Sequence, residues 1–217
     1  ARLRRLDESS EIIMFERGEY ISFANCGLPY YIGGEIKEKS ALTLQTPESF
    51  KARFNVDVRC SSEVVAVDRN SKQVRVMEAS GKTYFESYDK LILSPGAEPL
   101  VPNIEGVKND RVFTLRNIPD TYRIKEFVDS QKPKTAVIIG GGYIGIEMAE
   151  NLHKAGLAVT IAEFAGHVVA SLDYDMAADV HNHLRQKGVN LYLNDGVKGI
   201  YDDNGRLKIS LSERDIY

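Results

Sequence analysis

The chain has 217 residues, 43% hydrophobic and 27% charged, with a formal net charge of −3; it can bury one large core or two smaller ones, and it lacks the basic field that would hold nucleic acid or an anionic membrane by bulk charge. No apolar run approaches the roughly 18 residues of a membrane-spanning helix. Its two cysteines, Cys26 and Cys60, lie far apart with no Cys or His at metal-ligand spacing, which argues against a disulfide scaffold or zinc module and for a reducing, cytoplasmic setting.

The first stretch, "ARLRRLDESSEIIMFERG", begins in mid-helix, with Leu3 and Leu6 on one face and arginines on the other. "EIIMFER" then reads as a buried strand ending at Glu16. Helix followed by an apolar strand with a terminal carboxylate is the second half of a β-α-β nucleotide-binding unit, in which that carboxylate takes the ribose hydroxyls. A first strand and glycine turn are therefore expected upstream of Ala1, and Glu16 is a cofactor-binding candidate, with a plain surface strand end as the alternative.

"SFANCGLPYYIGG" follows. Pro29 suits the first turn of a helix, and Gly33 and Gly34 suit its end, so Cys26 is expected just before a short helix whose start favours an anion. No second cysteine stands at the CxxC or CxxxxC spacing of dithiol enzymes. The oxidised form would then be a mixed disulfide with a small thiol, or a sulfenic acid. Cys60 is expected to be a packing residue on a different strand. Tyr30 and Tyr31 fit either a thiol pocket or simple packing of the helix.

Residues 63–99 read as a hairpin of alternating strands, then an apolar strand running into Ser94, Pro95 and Gly96 that returns to the first domain's sheet. A domain boundary is expected near residues 112–118, dividing the chain into 1–114 and 115–217. "TAVIIGGGYIGIEMAENLHKAGLAVTIAEF" then gives strand, glycine turn, amphipathic helix and a second strand ending at Glu163. Gly140, Gly142 and Gly145 have the GxGxxG spacing: the first for the tight turn, the second for backbone approach to a pyrophosphate, the third for helix-on-strand packing. Glu163 falls at the ribose position, where its charge would favour NADH over NADPH. "DMAADVHNHLRQKGVNLYLN" repeats helix then strand, with Gly188 ending the helix. His181 and His183, two apart on that helix, face different ways and are not expected to hold a metal; His153 and His167 are expected at the surface.

Together, "SFANCGLPYYIGG", "YDKLILSPGAEPLVPNIEG" and "IIGGGYIGIEMAE" resemble the pyridine nucleotide-disulfide oxidoreductases with a single active cysteine, above all the coenzyme A disulfide reductase branch. The resemblance covers essentially the whole chain, although the family extends beyond it at both ends. It implies an α/β fold of two doubly wound, Rossmann-like nucleotide-binding domains, both incomplete here, with 1–114 binding FAD and 115–217 binding NAD(P). It also implies a homodimer that uses NADH or NADPH to reduce a coenzyme A disulfide. By resemblance, Cys26 is the redox-active nucleophile, Ser22 and Asn25 contact coenzyme A, and Arg2 and Arg5 lie on a helix facing the same ligand. Glu16 meets the FAD ribose, and Tyr143 and Glu147 lie near the nicotinamide, the tyrosine resembling one that covers the flavin when no nicotinamide is bound. The same parts would serve an NADH oxidase, peroxidase or polysulfide reductase working through a Cys26 sulfenate or persulfide. A binding protein that senses nicotinamide without turnover is the alternative from another class.

Overall fold

The computed structural model describes residues 1–217 and divides into two compact units, Ala1–Ala24 with Ser40–Ala97, and Asn25–Lys39 with Glu98–Tyr217. In chain order, the first unit opens with helix α1 (Arg2–Leu6), strand β1 (Ile13–Phe15) and strand β2 (Ser22–Phe23). The chain then contributes a 3-10 turn (Asn25–Gly27) and helix α2 (Leu28–Gly33) to the second unit before returning to the first. There it forms β3 (Thr43–Gln45), α3 (Pro47–Phe54), β4 (Asp57–Arg59), β5 (Ser62–Asp68), β6 (Gln73–Glu78) and β7 (Thr83–Ser87).

In the first unit β1 pairs in parallel with β4, β2 pairs antiparallel with β3, and β5-β6-β7 form an antiparallel meander. The alternation expected over 63–88 is therefore real, with three strands where a hairpin was expected. Thr46 and Ser49 close a capping box on α3, satisfying the backbone donors that a helix start leaves open. At the other end of α3, Arg4 donates from Nε to the Phe54 carbonyl at 2.9 Å and from Nη2 to that of Asn55 at 2.9 Å. α1 buries no residue, so the apolar face expected from Leu3 and Leu6 is left exposed. No strand forms over 91–96. Ile92 and Leu93 are 74% and 71% exposed, since an apolar run becomes a strand only where a neighbouring strand takes up its backbone groups.

The second unit continues with α4 (Ile118–Gln131), β8 (Thr135–Ile139), α5 (Tyr143–Lys154), β9 (Ala158–Ala162), α6 (Tyr174–Gln186) and β10 (Asn190–Tyr192), followed by β11 (Val197–Asp203), β12 (Arg206–Leu211) and β13 (Asp215–Ile216). Strands β8, β9 and β10 lie side by side in that order, all parallel, joined by α5 and α6: a βαβαβ half of the doubly wound pattern expected from the sequence. β11-β12-β13 form a separate antiparallel sheet. Ile32, Ile124, Met148, Leu152, Ile161 and Leu184 join α2, α4, α5, β9 and α6 in one buried core.

Packing thus divides the chain differently from a single cut after residue 114. Ile32 of α2 is fully buried in the second core, and Glu35 just beyond it pairs with Lys154 of α5 at 2.9 Å. Residues 98–114 join the same unit because the Ile200 N–H donates to the Glu105 carbonyl at 2.9 Å and Arg111 Nη1 donates to the Gly205 carbonyl at 2.8 Å. At the crossing of α2 and α5, a Cβ on Gly33 would lie 2.5 Å from Asn151 Oδ1 and 3.0 Å from its backbone oxygen. Only glycine permits that approach.

Asp195, 1% exposed, ties β10's end to the turn before β13, accepting from the Glu213 N–H at 3.0 Å and from Arg214 Nε at 2.8 Å. Burial pushes this carboxyl up, but the Glu213 N–H, the Arg214 guanidinium and the Ser212 N–H outweigh it and hold it below the usual carboxylate range. A depressed folded value contributes stability that is present above the unfolded value of about 3.9 and is lost as pH falls through the folded one. Thermal melts between pH 7 and pH 3 should therefore show a smaller acid-induced drop in Asp195→Asn than in the parent; equal drops would count against this role.

Candidate active site

The glycine turn follows β8 and starts α5. Gly140 sits at φ +103, a conformation that strains any side chain, and a Cβ on Gly145 would lie 2.1 Å from the Gly140 carbonyl oxygen. Gly142 caps α5, with no side chain capping the helix, and a Cβ built on it meets nothing within 4 Å. The backbone is open at the start of this twelve-residue helix, where the first-turn N–H groups and the helix dipole both favour an anion. Tyr143, next in line, is 65% exposed, and its hydroxyl lies 2.9 Å from Ser171 Oγ. Glu147, one turn on, is half-buried, and its carbonyl accepts from Asn151 Nδ2 at 2.8 Å.

Glu163 follows β9 with both carboxylate oxygens engaged. Oε2 accepts from the Gly141 N–H at 2.6 Å and Oε1 from the Ala165 N–H at 2.7 Å. The carboxylate expected to read a ribose is here a brace of the glycine turn. Gly141 was missed by a reading confined to GxGxxG, although the run of three glycines signals it: a Cβ there would lie 2.6 Å from Val168 Cγ1. The loop carrying Val168 is held in place by the Val169 N–H on the Gly141 carbonyl at 2.8 Å and by His181 Nε2, which accepts from the Val168 N–H at 3.1 Å. Burial, with Arg185 and His167 nearby, lowers the His181 pKa and keeps that nitrogen an acceptor. His181 is therefore a buried loop anchor. His153 is exposed and His167 half-buried, the latter against expectation, its ring edge-on to Tyr174.

Cys26 lies in the 3-10 turn Asn25–Gly27, exposed, immediately before α2. Pro29 occupies the first turn of α2, and Gly34 caps its end at φ +85, as the sequence suggested. Leu28, Pro29, Tyr31 and Ile32 are buried, so the turn bearing the thiol is fixed from below. Tyr31 packs on Tyr122 of α4, ring centroids 5.7 Å apart, and Lys39 Nζ stands 4.6 Å over the same Tyr122 ring; Tyr31 serves packing. Beside the thiol, Arg116 Nη1 donates to Asn25 Oδ1 at 3.3 Å. Arg116 is itself placed by the start of α4: its N–H donates to Asp120 Oδ2 at 2.9 Å, while the Asp120 N–H donates to Asn117 Oδ1 at 2.9 Å. Sequence reading missed Arg116. The cap pattern "RNIPD" was its only local sign.

In the first unit, Glu16 directly follows β1, half-buried, with Oε1 accepting from the Gly18 N–H at 2.7 Å. Ser22 is half-buried on β2, opposite Gln45 of β3. Arg2 and Arg5 are exposed on α1, whereas Arg4 between them is the residue that caps α3. Cys60 lies at a bend after β4 rather than within a strand, half-buried. Burial and the carboxylates of Glu16, Glu48 and Glu19 push its thiol up, which suits an inert packing residue. No group of three or more His, Cys, Asp or Glu is placed to hold a metal, and no helix is long and apolar enough to cross a membrane.

The family model for pyridine nucleotide-disulphide oxidoreductases matches residues 1–217. The chain belongs to the pyridine nucleotide-disulphide oxidoreductase family. Among curated members of that family it is 38% identical over 214 residues to the coenzyme A disulfide reductase of Staphylococcus haemolyticus, covering 98% of this chain and 48% of the relative. Among solved structures it resembles reduced Bacillus anthracis CoADR-RHD, with 51% identity, a TM-score of 0.95 and coverage of 100% of this chain and 39% of that one. It also resembles an NAD-dependent persulfide reductase from A. fulgidus, with 34% identity, a TM-score of 0.93 and coverage of 99% and 40%. The chain therefore spans about half the length of the curated relatives it matches.

Proposed function

We propose that the protein to which this chain belongs uses NADH or NADPH, through FAD, to reduce coenzyme A disulfide at Cys26. The observation that carries this is a single exposed cysteine seated on the same packed unit as a glycine turn whose backbone is open at Gly142. Likeness to coenzyme A disulfide reductase over nearly the whole chain supports it.

The residues fit both nucleotides. Gly142 and the start of α5 would take the pyrophosphate of the nicotinamide cofactor, and Glu163, already holding the Gly141 N–H, would accept from a ribose hydroxyl and repel a 2'-phosphate, which favours NADH. Tyr143 and Glu147 would flank the nicotinamide. Glu16, at the carboxyl end of parallel strand β1, would accept from the FAD ribose; the unit of Ala1–Ala24 with Ser40–Ala97 would supply the flavin side and the unit of Asn25–Lys39 with Glu98–Tyr217 the nicotinamide side. Bound FAD would supply the redox relay between nicotinamide and sulfur.

Cys26 does the exchange chemistry. Its thiolate attacks one sulfur of the substrate, forming a Cys26–coenzyme A disulfide and releasing the first coenzyme A as thiolate; two electrons then restore the Cys26 thiolate and release the second. The balance is one reduced nicotinamide and one proton consumed for two coenzyme A thiols formed. Asn25, Ser22, Arg2 and Arg5 would contact the coenzyme A, the arginines meeting its phosphates. We further infer a homodimer acting in the cytoplasm.

A second reading is favoured by the likeness to a persulfide reductase. In it, as in the NADH oxidase or peroxidase variant, Cys26 carries a persulfide or sulfenate. Intact mass of the full-length protein, before and after reductant, decides between them. A reductant-sensitive gain equal to one coenzyme A on Cys26 is the expected result, and a gain of one sulfur or of one or two oxygens overturns it.

A further inference from the structure

Arginine carries five N–H donors and no acceptor. Whatever atom of Asn25 faces Arg116 must therefore accept, and that atom is Oδ1, 3.3 Å from Nη1. The amide is planar, so once its oxygen is fixed its NH2 group points away from the guanidinium, on the residue that precedes the exposed Cys26. The backbone from which the guanidinium extends is anchored: the Arg116 N–H donates to Asp120 Oδ2 in the cap of α4, and α4 is packed on α2 through Tyr122 and Tyr31. The element that carries the thiol and the element that orients its neighbour are thus parts of one packed unit.

We propose that Arg116 is a positioning residue that fixes the side-chain amide of Asn25 as a hydrogen-bond donor toward the substrate, so that Asn25 selects disulfides bearing an amide carbonyl close to the sulfur. This rests on the proposed reaction at Cys26. In coenzyme A the sulfur is joined through two carbons to an amide, so a sulfur bonding to Cys26 brings an amide group to within reach of the adjacent residue. With its oxygen held by Arg116, Asn25 can offer only N–H, and the group it reads must be an acceptor. Without Arg116 the amide is free to turn over, and the selection is lost. A hydrogen bond between uncharged groups is worth about 0.5–1.5 kcal/mol, which sets the expected effect at up to about tenfold.

The test uses the full-length, FAD-loaded protein with Cys26 reduced and no nicotinamide present. The rate at which Cys26 forms a mixed disulfide is followed by intact mass with two uncharged probes, pantethine, which has the amide, and hydroxyethyl disulfide, which lacks it. Because neither probe is charged, any change in the thiolate's own reactivity cancels in the ratio of rates. The parent should prefer pantethine. Arg116→Met should lower the ratio by about tenfold, and Arg116→Lys, still a donor without an acceptor, should restore most of it. Asn25→Asp keeps a partner for Arg116 but has no NH2, and should lose the preference as well. A parent with no preference, or an unchanged ratio in Arg116→Met or in Asn25→Asp, overturns the proposal. Absence of coenzyme A disulfide turnover alongside a ratio that responds as described would overturn the proposed function and leave this inference standing.

Discussion

Cys26→Ser, in the full-length FAD-loaded protein, is expected to lower reduction of coenzyme A disulfide by at least about 10³-fold, because in the proposed reaction Cys26 is part of the bond-forming chemistry. A serine hydroxyl is far too weak an acid to ionise near neutral pH, and an oxygen cannot take the place of sulfur in a disulfide intermediate. Cys60 gives no route around the loss, since burial and the carboxylates of Glu16, Glu48 and Glu19 hold its thiol protonated. Bleaching of the flavin absorbance by NADH should persist in the variant, because the dinucleotide turn is untouched. Turnover of disulfide at near-parental rates would remove Cys26 from the mechanism.

The second large effect separates two glycines of one motif. Gly145→Ala would drive a Cβ to 2.1 Å from the Gly140 carbonyl oxygen, a backbone atom that cannot swing aside. Overpacking of this severity should cost about 3 kcal/mol and lower the thermal midpoint by about 6–12 °C. Gly142→Ala meets open space at an ordinary φ of −74, so the fold should tolerate it. The same methyl group would stand where the backbone is expected to approach a pyrophosphate, and NADH affinity should fall about tenfold, roughly 1.4 kcal/mol. Melting curves and NADH titrations of the two variants read the two effects separately. Unchanged NADH binding in Gly142→Ala would contradict the nucleotide assignment of the turn.

Legibility followed the range of the interaction. Strand, turn, helix and strand over 135–163 are readable because apolar periodicity and glycine spacing are local, and they fold as β8, α5 and β9. Pro29 and Gly34 likewise marked the limits of α2. What the sequence concealed depended on partners distant in the chain. The apolar run at 91–93 has strand composition, yet no strand pairs with it and it stays exposed. Arg116 reaches Asn25 across 91 positions, and nothing in either neighbourhood announces the other. Glu163 stood at the expected strand end, but its grip on the Gly141 N–H depends on how β8 and β9 pair. The division of the chain was hidden for the same reason: α2 is too short to declare an allegiance, and only the burial of Ile32 against α5 and its neighbours assigns it to the second core.

The seating of α2 bears on how this architecture tolerates recombination. A chimera spliced after residue 114 would import a foreign α4 and α5 beneath a native α2, pitting Gly33 against whatever replaces Asn151 and stranding Glu35 without Lys154. Edits confined to the surroundings of Glu163 would leave the seat of α2 on α5 intact, whereas exchanging everything beyond residue 114 would remove both Asn151 and Lys154 from beneath it.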